Sequence, residues 1–174
     1  MSFPGFIVVA ADVTRPWVES WMGDGDFARP TGPPFLFALE ELLRVEAEAL
    51  DAVVLAEPLP GDPPLKLTPL TDPTHPRVTR ALRYRTDVRV WASDHGVLII
   101  GRGLAGRWEA AVEVTPEARN VGHGRALATA ARHLVPEGRP VWAQIAPGNA
   151  ASLRAFLSAG YQPVGSEVLL IPPA

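Results

Sequence analysis

A mixed α/β fold, with antiparallel hairpins ahead of a β-α-β-α-β end, is what this 174-residue sequence predicts. Three observations carry the prediction. Runs with strand character at 87–93, 97–102 and 106–114 follow one another across the hairpin-type turns "SDHG" and "GRGLAG". Between 113 and 135 the chain passes from alternation through a glycine turn into helical periodicity, and 140–159 repeats the pattern of strand, turn and helix. Apolar residues make up 47% of the chain, enough to fill the core such a fold needs.

Each element has its own warrant. Residues 5–12 (GFIVVAAD) are rich in β-branched side chains and read as a strand. Over 35–50 (FLFALEELLRVEAEAL), Leu39, Leu42, Leu43 and Val45 give an apolar stripe with acids opposite, which predicts a long helix. A strand is expected at 51–58. Residues 58–76 hold seven prolines, which no ordinary helix or central strand survives, so this stretch reads as a long loop dividing the chain. A short helix near 76–84 and the three hairpin strands follow. After the glycine turn a helix runs to about 135, then come a strand at 140–145, a helix at 150–159 and a last strand at 161–171. Asn149, after Pro147 and Gly148, is a good N-cap for the second helix and Gly160 a good stop, while Leu153, Phe156 and Leu157 form its apolar stripe. No internal repeat is present. One domain is expected over 1–174, best defined over 75–174, with a divergent N-terminal part.

Composition excludes several function classes. The net charge of −3 argues against a nucleic-acid partner and against a polybasic membrane-surface protein. No cysteine occurs, so thiolate catalysis, thiolate metal sites and disulfides are excluded. The four histidines (75, 95, 123 and 133) have no metal-ligand spacing, and no metal is expected. The first residues lack a basic region and a small-residue cleavage site, and no apolar stretch reaches membrane-spanning length; a soluble, cytoplasmic protein is expected.

Two glycine motifs compete for attention. "GRGLAG" (101–106) matches the dinucleotide fingerprint G-x-G-x-x-G, which works only where a helix starts at the glycines. Here Trp108, Ala110, Val112 and Val114 alternate with Arg107, Glu109, Ala111 and Glu113, so a strand follows and the glycines belong to a hairpin. At 119–125 the context is the opposite. Val112 to Val114 end a strand, Pro116 stops it, and the glycine run leads into a helix carrying Leu127, Ala131 and Leu134 on one face. Free amides at a helix start form an anion site, and Arg125 adds positive charge. Taken alone, the segment serves equally as a sharp connection or as an anion cradle.

A second segment favours the cradle. The string R-x-x-G-x-G at Arg119, Gly122 and Gly124, after Val114-Thr115-Pro116, is followed one strand later by Asn149, Ser152, Phe156, Gly160 and Tyr161. This pair of motifs, in this order and spacing, resembles the GCN5-related N-acetyltransferase (GNAT) superfamily, with the likeness covering about 87–171. The resemblance implies a mixed, mostly antiparallel central sheet flanked by helices, with the strands at 106–114 and 140–145 splayed to admit acetyl-CoA. It implies that the pantetheine arm lies along the backbone of Val112, Glu113 and Val114, with an oxyanion donor near Val114. The pyrophosphate would rest on the amides of Arg119, Asn120, Val121, Gly122, His123, Gly124 and Arg125. Asn149, Ser152 and Phe156 would lie beside the arm.

The implied reaction is direct attack of an amine, on a small molecule or a peptide, on the acetyl thioester. The family's usual thiolate acid is a tyrosine at the position held here by Phe156; a thiolate of pKa about 8.5 can leave without it. Glu109 and Glu113, on one face of their strand by alternation, are the candidate bases, each alternatively a solvent-facing acid. Asp94 and His95 read as turn residues, Tyr161 as a structural aromatic, and His123 as facing solvent or cofactor. The alternative is an acyl-CoA-binding module of little or no turnover, acting as a sensor or partner domain. No nucleic acid or membrane partner is implied, and the reading allows a homodimer.

Overall fold

The computed structural model describes residues 1–23, 26, 28–71 and 74–173. In chain order its elements are β1 (Ser2–Phe3), β2 (Phe6–Ile7), α1 (Arg15–Met22), α2 (Pro33–Leu43), β3 (Glu46–Ala47), β4 (Asp51–Ala56), β5 (Thr68–Pro69) and α3 (Pro76–Tyr84). Then follow β6 (Thr86–Ser93), β7 (Gly96–Arg102), β8 (Trp108–Val114), α4 (His123–Leu134), β9 (Val141–Ile145), α5 (Ala150–Ser158), β10 (Gln162–Glu167) and β11 (Leu170–Ile171). The result is a mixed α/β protein with a large, mostly antiparallel sheet and helices. Packing divides it into two compact units, Met1–Val53 with Val164–Ala174, and Val54–Pro163.

In the second unit the strands lie in the order β4-β9-β8-β7-β6-β5. The ladders β5/β6, β6/β7 and β7/β8 are antiparallel and β8/β9 is parallel. Alternation sorts the side chains of these strands onto two faces. On one face, Val78 and Ala81 of α3 pack with Val90 and Ile99. On the other, Leu127, Ala128 and Ala131 of α4 and Phe156 of α5 pack with Leu98, Ile100 and Ala110. Burying a side chain such as Leu127 completely contributes about 1.5–3 kcal/mol. Trp108 is buried as well, with no acceptor for its Nε1–H among the described residues.

Local chemistry explains the helices that frame the site. Pro76 opens α3, where His75 accepts from the Arg77 amide. Asn149 caps α5 by accepting from the Ser152 amide at 3.0 Å, and Gly160, at φ +87°, ends it. Both ends of α5 therefore follow the expectation.

The N-terminal unit departs from the expectation in four places. Of the strand expected at 5–12 only Phe6–Ile7 is one, paired with Ser2–Phe3; residues 8–12 are not in a strand. An unforeseen helix, α1, starts at the Thr14 cap with a proline in its first turn. The helix expected over 35–50 ends at Leu43, because Arg44 takes a left-handed conformation (φ 54°) and residues 46–47 pair with β11. The last expected strand is two, β10, which pairs with β1, and β11, which pairs with β3. Trp17, Trp21 and Phe35 cluster with ring centroids 5.6 to 6.1 Å apart.

The proline-rich stretch falls within the second unit, just past the boundary at Val53. Its Leu59 amide is bonded to the Arg132 carbonyl at 2.8 Å, and Leu65 and Leu67 are packed on the core. Within it Thr68 and Pro69 form the border strand β5.

Candidate functional site

β8 is held along its whole length on one side, from Arg102↔Trp108 to Gly96↔Val114. On the other side it has only two parallel partners, Trp108↔Val141 and Glu109↔Trp142. Both strands continue past that point, β8 to Val114 and β9 to Ile145. The edge of Ala110 to Val114 that faces β9 thus presents backbone groups beyond the last rung of the ladder.

At the end of this edge the chain turns sharply into α4. The Thr115 amide donates to the His95 carbonyl at 2.9 Å, Pro116–Ala118 form a single 3-10 turn, and Asn120 and Gly122 take left-handed conformations (φ 63° and 90°). No side chain caps α4, and its first internal bond runs from the Ala126 amide to the Gly122 carbonyl at 3.1 Å. The amides of His123, Gly124 and Arg125 therefore have no partner within the helix, and the positive end of the helix dipole lies there. Arg119 and Arg125 are both exposed beside it.

The two glycines do different work. A Cβ on Gly122 would meet nothing within 4 Å, so glycine serves its backbone angle and leaves the space over the amides open. A Cβ on Gly124 would lie 3.4 Å from Ala155 Cβ and 3.6 Å from Val114 Cγ2, ordinary contact distances, so a methyl group fits between α4, α5 and β8 and a larger side chain does not.

His123 faces the β6–β7 hairpin. Its Nε2 lies 2.9 Å from Ser93 Oγ, and its ring meets His95 edge-on at 5.5 Å. The Ser93 hydroxyl spends its one proton on the Gly96 carbonyl at 3.1 Å, so the network assigns the donor role to His123 Nε2. Burial first, then the nearby His95, lower the His123 pKa below 6.5, with Asp94 opposing.

The remaining candidates spread over three environments. Glu113 is half-buried and paired with Arg77 of α3. Glu109 is buried, with one carboxylate oxygen on Arg85 and the other on Arg107. Asn149 is exposed at the start of α5, its side-chain oxygen engaged in the cap, and Ser152 follows one turn on. Phe156 is buried, edge-on to Tyr161 at 4.8 Å. Tyr161 donates its hydroxyl to the Ala128 carbonyl at 3.2 Å, and burial pushes its pKa up, which fits a structural residue.

Sequence reasoning missed Ser93 and the two arginines on Glu109. Arg107, two residues before Glu109, lies on the same strand face and was within reach of the alternation argument; Arg85 comes from another element and left no local signal. Among the described residues no group of three or more His, Asp or Glu side chains could hold a metal ion, and no helix is long and apolar enough to cross a membrane. No protein-family model matches the chain, and no curated protein sequence matches it significantly.

Proposed function

We propose that this chain is a GNAT-like acetyltransferase that binds acetyl-CoA where β8 and β9 part, and passes the acetyl group to an amine of a small molecule or peptide. One observation carries the reading. The parallel ladder stops at Glu109↔Trp142 while β8 runs on to Val114, and the free edge leads to an uncapped helix start. An extended amide-bearing arm fits such an edge as a further strand would, and a pyrophosphate fits the amides of 123–125. The open space over Gly122 supports the same assignment.

In this reading the neutral amine attacks the thioester carbonyl carbon, a C–N bond forms, and the C–S bond breaks to release the thiolate. The extra proton on nitrogen passes to a carboxylate directly or through a water, and the thiolate takes a proton from solvent. Glu113 is the carboxylate we assign to the first proton, because it is partly exposed and stands on the free part of β8; Glu109 is buried with both oxygens engaged. The oxyanion would be met by backbone N–H groups of the same edge.

A second reading is favoured by Phe156: an acyl-CoA-binding module with little or no turnover, as a sensor or partner domain. The ring is buried in the core and offers no acid. Calorimetric titration with acetyl-CoA, followed by a transfer assay over a mixed amine panel, decides. Binding with transfer supports the enzyme, binding without transfer the module, and no binding refutes both.

A further inference from the structure

The gap between β8 and β9 begins at a fixed point, and a buried ion cluster sits on it. Glu109 is the last residue of β8 paired with β9, and is 3% exposed. Its Oε2 accepts from Arg85 Nε at 2.9 Å and its Oε1 from Arg107 Nε at 2.7 Å; those arginine side chains are 15% and 9% exposed. Trp142, the partner of Glu109 across the ladder, lies under the Arg107 guanidinium at 5.3 Å from its ring centroid. Gly103 completes the fit, since a methyl group there would overlap the Glu109 carboxylate. One carboxylate thus ties together the end of α3, the 103–107 turn, β8 and, through Arg107, β9.

Such a cluster is a poor source of stability, because three charges have been taken out of water. It is a good device for fixing one arrangement, because any shift of the carboxylate weakens two short ion pairs in a place with little water to replace them. An arrangement needs fixing here. A parallel ladder that stops in mid-strand could zip further or fray back, and either would change the length of free edge.

We propose that Glu109 is a positioning residue, the pin that sets where β8 and β9 part and hence how much strand edge is offered to the pantetheine arm. The proposal rests on the acetyl-CoA reading. The nucleotide end would bind at the start of α4, beyond the free edge, so the pin acts on the arm alone.

The test compares Glu109→Gln and the milder Arg85→Met with the unaltered protein, using CoA and adenosine 3′,5′-bisphosphate, which lacks the arm. Calorimetry should show CoA weakened by about tenfold or more in the variants while the bisphosphate is unchanged. Amide exchange should quicken at the root of the gap, over 108–110 and 141–143, and stay level over 97–100. Equal weakening of both ligands would reduce Glu109 to a structural role and overturn the pin. Unchanged exchange at 108–110 and 141–143 in both variants would overturn it whatever the ligands do. If neither ligand binds the unaltered protein while exchange responds as expected, the pin stands and the acetyl-CoA reading falls.

Discussion

Gly160 meets two demands at once. Its φ of +87° is costly for any residue with a Cβ, and a Cβ there would lie 2.5 Å from Arg132 Nη1, which donates to the Ala159 carbonyl at 2.7 Å. Gly160→Ala is therefore expected to lower stability by about 1–3 kcal/mol, read from denaturant unfolding; an unchanged midpoint would mean that Arg132 is not held there. Gly122 and Gly124 should separate in the same way. Gly124→Ala meets neighbours only at ordinary contact distances and gains helix propensity, so its melting temperature should hold, whereas Gly124→Leu would wedge α4 from α5 and lower it. Phe156 is the third residue whose surroundings decide the outcome. Buried as it is, Phe156→Ala should cost about 3–5 kcal/mol. Phe156→Tyr places a hydroxyl in the core, where a missing partner costs about 1–3 kcal/mol, so on the proposed acetyltransferase reading a tyrosine at this position should not improve transfer. A faster Phe156→Tyr enzyme of unchanged stability would show that the ring edge reaches the reacting thioester.

The hairpin β6–β7 and the start of α4 are joined by the Ser93–His123 bond, the His95–His123 contact and the Thr115 amide on the His95 carbonyl. Folding holds His123 neutral to a lower pH than in the unfolded chain. Protons therefore bind the unfolded state preferentially as pH falls through about 6.5, so this contribution is present above that pH and fades below it. Melting temperatures taken from pH 8 to pH 5 should fall more steeply for the unaltered protein than for His123→Asn; parallel curves would sink the idea. Elements that depend on their own sequence were legible: α3, α5 and the three hairpin strands carry their caps, turns and alternation locally. Elements set by distant partners were not. The 5–12 run does alternate, and Ile7, Val9, Ala11 and Val13 line one cleft of about 290 Å³, but extended chain is a strand only where a neighbour bonds it. Residues 45–50 have helical composition, yet β11 takes 46–47 as a strand partner.

For the molecule as a whole, the glycine turn and the capped helix of the candidate site were readable because each is a short stretch with its own chemistry. The ion cluster where β8 and β9 part involves residues 85, 107, 109 and 142, which only the fold brings together. Acetyl-CoA is expected to raise the melting temperature, by an amount equivalent to about 2.7 kcal/mol at a hundred times its dissociation constant, while NAD should leave it unchanged. Stabilisation by NAD and none by acetyl-CoA would return the argument to the 101–106 hairpin.

The border strand β5 has a consequence for behaviour in concentrated solution. Only Thr68 and Pro69 make up this border, opposite Ala92 and Trp91, and proline carries no N–H. A sheet margin this short, lacking a donor at its exposed proline, gives a neighbouring molecule little to zip onto. Pro69→Val restores the donor and adds a β-branched side chain without touching the core. Light scattering should then rise with protein concentration for that variant while its circular dichroism stays the same, and equal scattering from both proteins would show that the margin is guarded by something other than Pro69.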